Sequence, residues 1–229
     1  MTSATMTHPP QETVPQDPRP APSKDARFWD RISKRYAAKP VSDESAYQKK
    51  LAITRGYLSP QMEVLEFGCG TGSTAIAHAP FVESILATDI SGGMLDIARN
   101  KAATERVENV RFEQTALEAF QAPAASFDAV LGLSVLHLLH DPRAAVAKVH
   151  TLLKPDGIFI TSTPCLKEMA PWIKYVAPLA RAVGLFPPVL RVFGEDALQK
   201  NLTAEGFEVI YRWQPKPKSA VFIVARKRG

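Results

Sequence analysis

Three glycines at alternate positions follow a short apolar run, so that residues 64–72 read VLEFGCGTG. Glycines allow backbone amides to approach a ligand at the carboxyl end of a strand, because no side chain intervenes. Asp89 lies seventeen residues beyond Gly72, where a carboxylate at the end of the next apolar run can accept both hydroxyls of a ribose. The spacing therefore predicts a nucleoside-bearing ligand, although structural glycines at a tight turn would explain the loop alone.

Glu66 separates the kinds of nucleoside ligand that this loop could hold. It lies two residues before Gly68, where a carboxylate would repel the pyrophosphate of a dinucleotide and attract an ammonium or a sulfonium. Ser73 also stands where a dinucleotide fingerprint has its third glycine. Both features favour a cationic ligand.

Four blocks of sequence, in this order, resemble the class I S-adenosylmethionine-dependent methyltransferases. The blocks are EFGCGTG at 66–72, ATDIS at 87–91 with ML at 94–95, SFDAV at 126–130 and LLKPDG at 152–157. The resemblance extends over about residues 47–226 and is closer to the small-molecule branch that includes the ubiquinone and menaquinone C-methyltransferases. It implies a methyltransferase with S-adenosylmethionine as its cofactor and a small, hydrophobic or aromatic acceptor, methylated at oxygen or carbon.

The same resemblance implies which residues hold the cofactor. The backbone of the glycine loop would line its methionine part, and Glu66 would organise its ammonium group. Asp89 would hold the ribose hydroxyls, while Ile90 and Met94 would pack on the adenine. The full set of implied cofactor-binding residues is Tyr36, Glu66, Phe67, Gly68, Cys69, Gly70, Gly72, Asp89, Ile90, Met94, Ala116, Leu117 and Ser134.

Ala116 departs from the pattern of the family, and residues 28–36 resemble its cap helix. Relatives often carry Asp where this chain has Ala116, so we expect no side-chain hydrogen bond to the adenine amino group. The segment Phe28-Trp29-Asp30 and Tyr36 resemble the cap helix of the family, in which a tyrosine can reach the cofactor. A buried packing role for Trp29 and Tyr36 is an equally good interpretation.

His137 is the candidate catalytic base. It follows the fourth predicted strand in the run SVLHLLHD, where we expect it to face the methyl group of the cofactor. A base is useful only if the acceptor arrives protonated, and the unperturbed pKa of histidine, about 6.5, lies near the working range. Some O-methyltransferases carry a catalytic histidine at a similar position, but the flanking residues differ here. A structural or substrate-contacting histidine is the alternative, and the chemistry requires no metal.

The motifs of other chemistries are missing. No Asp-Pro-Pro-Tyr or Asn-Pro-Pro-Tyr follows the fourth predicted strand, which disfavours amino methylation of a flipped nucleobase. Cys165 has no His or Cys at the spacing of a zinc site, and Cys69 reads as a small residue between glycines.

Strand-like and helix-like segments alternate along the chain. The alternation predicts an α/β fold with a Rossmann-like, doubly wound sheet of seven strands that ends in an antiparallel hairpin. Predicted strands cover residues 62–67, 84–88, 110–114, 127–133, 158–163, 207–213 and 220–226. Predicted helices cover residues 26–38, 43–57, 73–79, 91–104, 142–153 and 196–204, with Ser91 as an N-cap.

The chain divides into a tail, a cap and a main domain. Residues 1–24 hold six of the nineteen prolines and little that is apolar, so we expect this segment to be disordered. Residues 25–58 are the predicted N-terminal cap helices, and residues 59–229 are the predicted methyltransferase domain.

An apolar insertion at about residues 165–193 is the predicted lid. Helical spacing places one set of residues on a single face, namely Trp172, Val176, Leu179, Val183 and Phe186. Lys174 and Arg181 fall opposite, and Pro178 is expected to divide the segment into two short helices. The apolar face either packs on the domain or forms a hydrophobic substrate tunnel, with peripheral membrane contact as a further alternative.

Composition limits the remaining possibilities. The 229 residues, with 45% hydrophobic and 22% charged, suit one globular unit. The longest stretch without Asp, Glu, Lys or Arg is residues 67–82, too short and too rich in Gly and Thr for a membrane span of about 20 apolar residues. The net charge of +5 arises from six cations after residue 209, which read as a solvated end rather than a nucleic-acid site.

Two cysteines and no secretory signal predict a cytoplasmic protein, and no pattern indicates its oligomeric state. Two other functions stay open at this point. One is an RNA or protein methyltransferase that uses the basic tail. The other is a cofactor-binding interaction module without turnover. The glycine loop, Glu66 and Asp89 indicate only that the cofactor is bound, not that the methyl group is transferred.

Overall fold

The computed structural model describes residues 23–182 and 184–228. The eight α-helices in this part of the chain are α1 Lys24–Ala38, α2 Glu44–Arg55, α3 Ser73–His78, α4 Gly92–Thr104, α5 Pro142–Leu152, α6 Leu166–Met169, α7 Ile173–Ala182 and α8 Glu195–Ala204. The strands are β1 Glu63–Phe67, β2 Ser84–Asp89, β3 Val110–Gln114, β4 Phe127–Leu133, β5 Leu153–Thr163, β6 Phe207–Trp213 and β7 Val221–Lys227. Two short 3₁₀ helices cover Ala79–Phe81 and Leu136–Leu138.

The seven strands form one sheet in the order β3-β2-β1-β4-β5-β7-β6. The first five strands in this order are parallel, and β7 runs antiparallel to both of its neighbours. This confirms the predicted doubly wound sheet with a closing antiparallel pair. The strand order reverses between β1 and β4, and ligands of open α/β sheets bind at such a point, beyond the carboxyl ends of the strands.

Side chains on the two faces of the sheet form two apolar layers. Neighbouring residues of β1 illustrate the alternation, since Val64 packs in one layer and Leu65 in the other. One layer includes Phe159 together with residues of α5 and α8, and the other includes residues of α3 and α4. Both faces are therefore covered, and the central strands are rigid supports for the loops at their ends.

Helix α1 begins at Lys24, close to the start predicted at residue 26. Residues 1–22, most of the segment predicted to be disordered, lie outside the described residues. Ser23 caps α1, with its Oγ accepting a hydrogen bond from the amide of Ala26 at 3.1 Å. Ser91 caps α4 in the same way, accepting from the amide of Met94 at 3.1 Å, as its residue type predicted.

Strand β5 is longer than predicted. It begins at Leu153 rather than at residue 158, because Leu153 pairs with Phe127 before a register shift in the neighbouring strand. Pro155 and Gly157 therefore lie within the strand, which follows directly on the end of α5 at Leu152. Lys154 is held there by the carboxylate of Asp128 at 2.9 Å.

The lid differs from the prediction in two respects. Helix α7 continues through Pro178, and the break falls at residues 170–172 instead. Pro178 removes the hydrogen bond to the carbonyl of Lys174, which costs little here because that residue is exposed. The helix packs through Ile173, Ala177 and Ala180, which are buried.

The predicted apolar face is exposed at its first three residues and half-buried at Phe186. Trp172 and Leu179 are 58% and 72% exposed, and Val176 is also exposed, while residue 183 lies outside the described residues. Aromatic Tyr175 extends the same surface. None of the helices in the described part of the chain has the length and apolarity needed to cross a bilayer.

Candidate functional site

The loop after β1 turns at glycines whose backbones have positive φ angles. Gly72 has a φ of +73°, and a Cβ there would lie 2.7 Å from the Cβ of Ala98 in α4. Gly70 has a φ of +55°, but a Cβ there would meet no atom within 4 Å. The loop is thus packed tightly at its helical end and opens onto empty space at its centre, as a site for close backbone approach requires.

Asp89 joins the ends of the first two strands. Its Oδ2 accepts a hydrogen bond from the amide of Gly70 at 2.8 Å, and its Oδ1 accepts from the amide of Ser91 at 2.9 Å. Burial raises the pKa of Asp89, and these backbone hydrogen bonds oppose the shift. Each carboxylate oxygen has two lone-pair sites, so Asp89 is fixed in place and can still accept hydroxyl groups.

Glu66 is a buried carboxyl group in the same wall of the site. It is 3% exposed, and its Oε2 has no hydrogen-bond partner among the described residues. Burial, and then the nearby Asp89 carboxylate, raise the pKa of Glu66 to about 8. A buried polar atom without a partner carries an energetic cost, which a cationic ligand bound against Glu66 would remove.

The other predicted cofactor residues meet around one cavity of about 1000 Å³. Its wall includes Ile90, Met94, Ala116 and Leu117, beside Asp89. The main-chain carbonyl of Ile90 accepts a hydrogen bond from the Gln114 side chain at 3.1 Å, which fixes this edge. Ala116 presents only a methyl group, as the sequence indicated.

Phe67 and Cys69 support the glycine loop from below. The ring of Phe67 is buried and stacks on Phe159, with 6.3 Å between the ring centroids. Burial, with smaller contributions from nearby carboxylates, raises the pKa of the Cys69 thiol well above its usual value. The thiol is therefore neutral, which agrees with its interpretation as a small residue rather than a nucleophile.

Ser134 turns the chain at the end of β4. Its φ of +57° lies in the left-handed region, which residues other than glycine seldom adopt. Its amide donates to the carbonyl of Ser162 at 2.7 Å, which holds this conformation against the end of β5. Strained backbone of this kind is common at binding sites, and Ser134 lines the cavity.

The cap helix α1 is attached to the domain by Asp30. Its Oδ1 accepts from the hydroxyl of Ser91 at 2.6 Å and from the amide of Gly93 at 2.9 Å. Trp29 and Tyr36 then line the cavity, with their rings edge to face at 6.3 Å. Tyr36 is 51% exposed, so a buried packing role does not describe it.

His137 is not among the described residues that line the cavity, contrary to the orientation expected from the sequence. The chain forms a 3₁₀ helix over Leu136–Leu138 here, and Leu138 and Leu139 line the wall instead. The Nδ1 of His137 is buried with no hydrogen-bond partner among the described residues, and burial lowers the pKa of this histidine to about 4. Its role as a base stays a prediction.

Two lysines reach the site from helices. Lys101 of α4 donates to the hydroxyls of Thr71 and Ser73 at 3.1 and 3.0 Å, beside the glycine loop. Lys50 of α2 donates to the hydroxyl of Ser162 at 2.8 Å. The part of the chain that the structure describes holds no group of three or more His, Cys, Asp or Glu side chains placed to bind a metal ion.

Residues 64–157 match a family model described as a methyltransferase domain. The matched segment is therefore a methyltransferase domain. The Oε2 of Glu66, buried and without a hydrogen-bond partner among the described residues, and the open glycine loop fit the cation S-adenosylmethionine.

Curated relatives share the methyltransferase domain over part of their length. The Bacillus subtilis protein described as uncharacterized methyltransferase YcgJ is 38% identical over 110 residues, which cover 48% of this chain and 44% of that protein. A ubiquinone biosynthesis O-methyltransferase from Dinoroseobacter shibae is 33% identical over 102 residues, which cover 44% of this chain and 41% of that protein. The matches thus span less than half of these relatives.

Solved structures share the fold more widely. The crystal structure of YcgJ superposes with a TM-score of 0.65 at 22% identity and covers 80% of this chain and 99% of that one. The [4+2]-cyclase SpnF superposes with a TM-score of 0.73 at 18% identity and covers 91% of this chain and 97% of that one. At these identities the likeness concerns the fold alone.

Three residues of the site were missed or undervalued by sequence reasoning. Lys50 and Lys101 belong to no motif, and their partners are 112 and about 30 residues away in the chain. Asp30 was noted only as part of the cap helix, because its partner Ser91 is 61 residues away. Local spacing carries no signal for contacts of this kind.

Proposed function

We propose that the protein transfers the methyl group of S-adenosylmethionine to a small, hydrophobic or aromatic acceptor, at oxygen or carbon. The observation that carries the proposal is the buried carboxyl of Glu66, unpartnered in the described structure, in a cavity of about 1000 Å³. A cavity of this size has room for the cofactor and a small acceptor together.

The residues at the ends of β1 and β2 would hold the cofactor. Glu66 would accept hydrogen bonds from its ammonium group, and Asp89, already oriented by two backbone amides, would accept the ribose hydroxyls. Ile90 and Met94 would pack on the adenine, with Ala116 at its edge. When bound, the cofactor supplies a methyl group on a positively charged sulfur.

The residues of the protein would position the acceptor and exclude water from the cavity. Methyl transfer is an in-line displacement, so holding the acceptor atom in line with the methyl group provides much of the acceleration. Trp29 and Tyr36 of the cap close one side of the cavity, and Ser134 fixes the end of β4 beneath it. The cap is held at this position by the hydrogen bonds of Asp30.

The apolar walls support a hydrophobic acceptor. Leu138, Leu139, Met169 and Val189 all line the cavity on the side away from β2. One relative is named for O-methyl transfer in ubiquinone biosynthesis, and a Paenibacillus relative, 28% identical over 163 residues, for O-methylation of malonyl-acyl carrier protein. Both names concern oxygen acceptors, and carbon methylation is the alternative.

The experiment is calorimetric titration of S-adenosylmethionine into the protein, followed by a screen of aromatic and aliphatic acceptors with methyl-labelled cofactor. We expect binding and label transfer to a hydrophobic acceptor. Binding without transfer to any acceptor would favour the alternative of an interaction module without turnover. No binding of S-adenosylmethionine, with uptake of a nicotinamide dinucleotide, would overturn the proposal.

The basic C-terminal segment gives less support to an RNA or protein substrate. Arg212 donates to the carboxylate of Glu195 at 2.7 Å, and Lys216 donates to that of Asp43 at 3.0 Å. Lys227 donates to two main-chain carbonyls at 2.8 Å. Half of the six cations are therefore engaged within the fold, while the side chains of Arg212 and Lys216 stay 45% and 73% exposed.

A specific observation favours peripheral membrane contact as a second property. Trp172, Tyr175 and Leu179 of the lid are 58%, 75% and 72% exposed, and Leu185 follows on the same insertion. Lys174 lies beside this surface, with its Nζ 4.8 Å from the Tyr175 ring centroid. Exposed aromatic and aliphatic side chains with a neighbouring cation are typical of a face that rests on an anionic lipid membrane.

A further inference from the structure

Lys50 places a positive charge at the end of the cavity away from Asp89. Helix α2 carries this side chain towards the carboxyl end of β5, where its Nζ donates to the hydroxyl of Ser162 at 2.8 Å. Ser162 is buried, and its main-chain carbonyl accepts a hydrogen bond from the amide of Ser134. The backbone that carries the Ser162 hydroxyl is therefore held in place. Lys50 therefore has a defined position in the cavity wall.

The sheet register separates this lysine from the cofactor carboxylates. Glu66 pairs with Leu131 of β4, Leu131 pairs with Ile160 of β5, and Ser162 lies two residues beyond Ile160. Two strand spacings make about 10 Å across the sheet, and Asp89 lies one strand further away. Glu66 and Asp89 thus lie on one side of the cavity and the Lys50 ammonium on the other, while Lys101 stands beside the glycine loop and Asp43 near Lys50.

The charge of Lys50 is poorly compensated. Ser162 is its one hydrogen-bond partner among the described residues, whereas an ammonium group has three donors. Asp43 is the nearest carboxylate to act on it, but Asp43 already accepts from the Ala46 amide, the Ser45 hydroxyl and the Lys216 ammonium at 2.8 to 3.0 Å. Burial lowers the pKa of Lys50, as expected for a partly desolvated cation.

We propose that Lys50 binds an anionic oxygen of the methyl acceptor, either a carboxylate or a phenolate, and so selects acidic hydrophobic molecules. This inference rests on the proposed function, because it assigns the acceptor for the same cavity. The two donors that Ser162 leaves free would satisfy one such oxygen, which removes the cost of a half-buried charge. The cationic cofactor and the anionic acceptor would then bind at opposite ends of the cavity.

The test compares anionic and neutral probes of the same shape on protein saturated with S-adenosylhomocysteine. The carboxylate pair is 3-hydroxy-2-naphthoate and 3-hydroxy-2-naphthamide. The phenolate pair is 4-nitro-1-naphthol, which its nitro group keeps ionised at pH 7.5, and neutral 1-methoxy-4-nitronaphthalene. Calorimetry should show the anionic member of at least one pair bound about 10 to 100 times more tightly by the unmodified protein. The pair that shows the preference tells which kind of anionic oxygen Lys50 binds.

The variants separate charge recognition from a structural role. Lys50→Met should remove the preference, and Lys50→Arg should retain most of it. Lys50→Gln, which can still donate to Ser162, should also lose it, and it serves where Lys50→Met is unstable. Lys49→Met is the matched control, because Lys49 lies over the Trp213 ring at 4.6 Å and does not line the cavity.

Two outcomes would overturn the inference: equal binding of both members of each pair by the unmodified protein, or a preference that survives Lys50→Met and Lys50→Gln. Titration of S-adenosylmethionine in the same variants keeps the two proposals distinct. Failure of cofactor binding in the unmodified protein would count against the proposed function. Normal cofactor binding without an anion preference would count against Lys50 alone.

Discussion

At the cofactor end of the cavity the polar groups come from two adjacent strand ends, whereas at the opposite end they come from α2, β5 and the closing hairpin. Glu66 and Asp89 are 23 residues apart in the chain, while Lys50 and Ser162 are 112 apart. The first set is a local motif, and the second exists only when distant elements pack together. One cavity can therefore combine polar groups placed by a local motif with polar groups that only tertiary packing brings together.

The largest expected effect is at the cofactor end. Asp89→Ala should weaken S-adenosylmethionine binding at least about 100-fold, because it removes two charge-assisted hydrogen bonds and releases the Gly70 amide. Calorimetry measures the change. Asp96→Ala is the control, since Asp96 is exposed and pairs only with Arg99 among the described residues. Unchanged affinity in Asp89→Ala would remove the ribose assignment.

Glu66→Gln tests whether the same end is built for binding at the expense of stability. The raised pKa of about 8 means that the folded protein holds a proton which the unfolded chain releases above about 4.5. Stability therefore falls as pH rises from about 4.5 to 8 and is level above that. We expect Glu66→Gln to raise the unfolding free energy of the ligand-free protein at pH 9 by on the order of 2 kcal/mol.

The same variant should weaken cofactor binding about tenfold, because the charge that attracts the ammonium group is lost. Calorimetry at pH 7 in two buffers of different ionisation enthalpy should show proton release from Glu66 in the unmodified protein and less in Glu66→Gln. Glu63→Gln, on the same strand but exposed, is the control. A variant with lower stability and unchanged affinity would contradict both expectations.

At the acceptor end, the exposed lid face should carry the next largest effect. Trp172→Ala with Leu179→Ala should reduce sedimentation with anionic phospholipid vesicles about tenfold, because two apolar side chains no longer enter the interface. Phe81→Ala, which removes an exposed ring outside the lid, is the control. Equal sedimentation of the double variant and the unmodified protein would refute membrane contact through this face.

His137→Ala should have the smallest effect. His137 does not line the described cavity, so we expect turnover of an identified acceptor to fall by less than about threefold with cofactor affinity unchanged. A catalytic base contributes about 10²-fold or more. A loss of that size, with a pH dependence that the variant lacks, would restore the predicted base.

The same histidine should affect stability in acid. Its pKa of about 4 lies below the usual 6.5, so the unfolded chain takes up a proton first as pH falls. Stability is lost progressively from about pH 6.5 down through pH 4. His137→Ala should reduce that loss in thermal melts, with His140→Ala, an exposed histidine, as the control.

Much of the cofactor end could be predicted from the residues. The apolar run into alternate glycines, followed by Asp89, predicted the positions that the structure brings together around the cavity. The prediction works because each side chain is placed by its own strand, and parallel strands end at one edge of the sheet. The same reasoning did not predict how His137 is oriented. Its position depends on a 3₁₀ turn and on contact with residues near Arg191.

The buried side of the lid helix could not be predicted from the sequence. Helical spacing identified an apolar face correctly as a face, but the structure buries Ile173, Ala177 and Ala180 instead. Periodicity reports which residues lie together on a helix and not which side meets the domain, because that is decided by the shape of the surface beneath it.

The amino-acid sequence by itself determined the α/β fold with its doubly wound sheet and the acidic cofactor end, since strand patterns and loop motifs act over a few neighbouring residues. The tertiary structure alone decided that Lys50 meets Ser162, that Asp30 holds the cap to Ser91 and that the lid exposes Trp172. These contacts join residues far apart in the chain, and their free energy appears only when the packed elements bring the groups within hydrogen-bond distance.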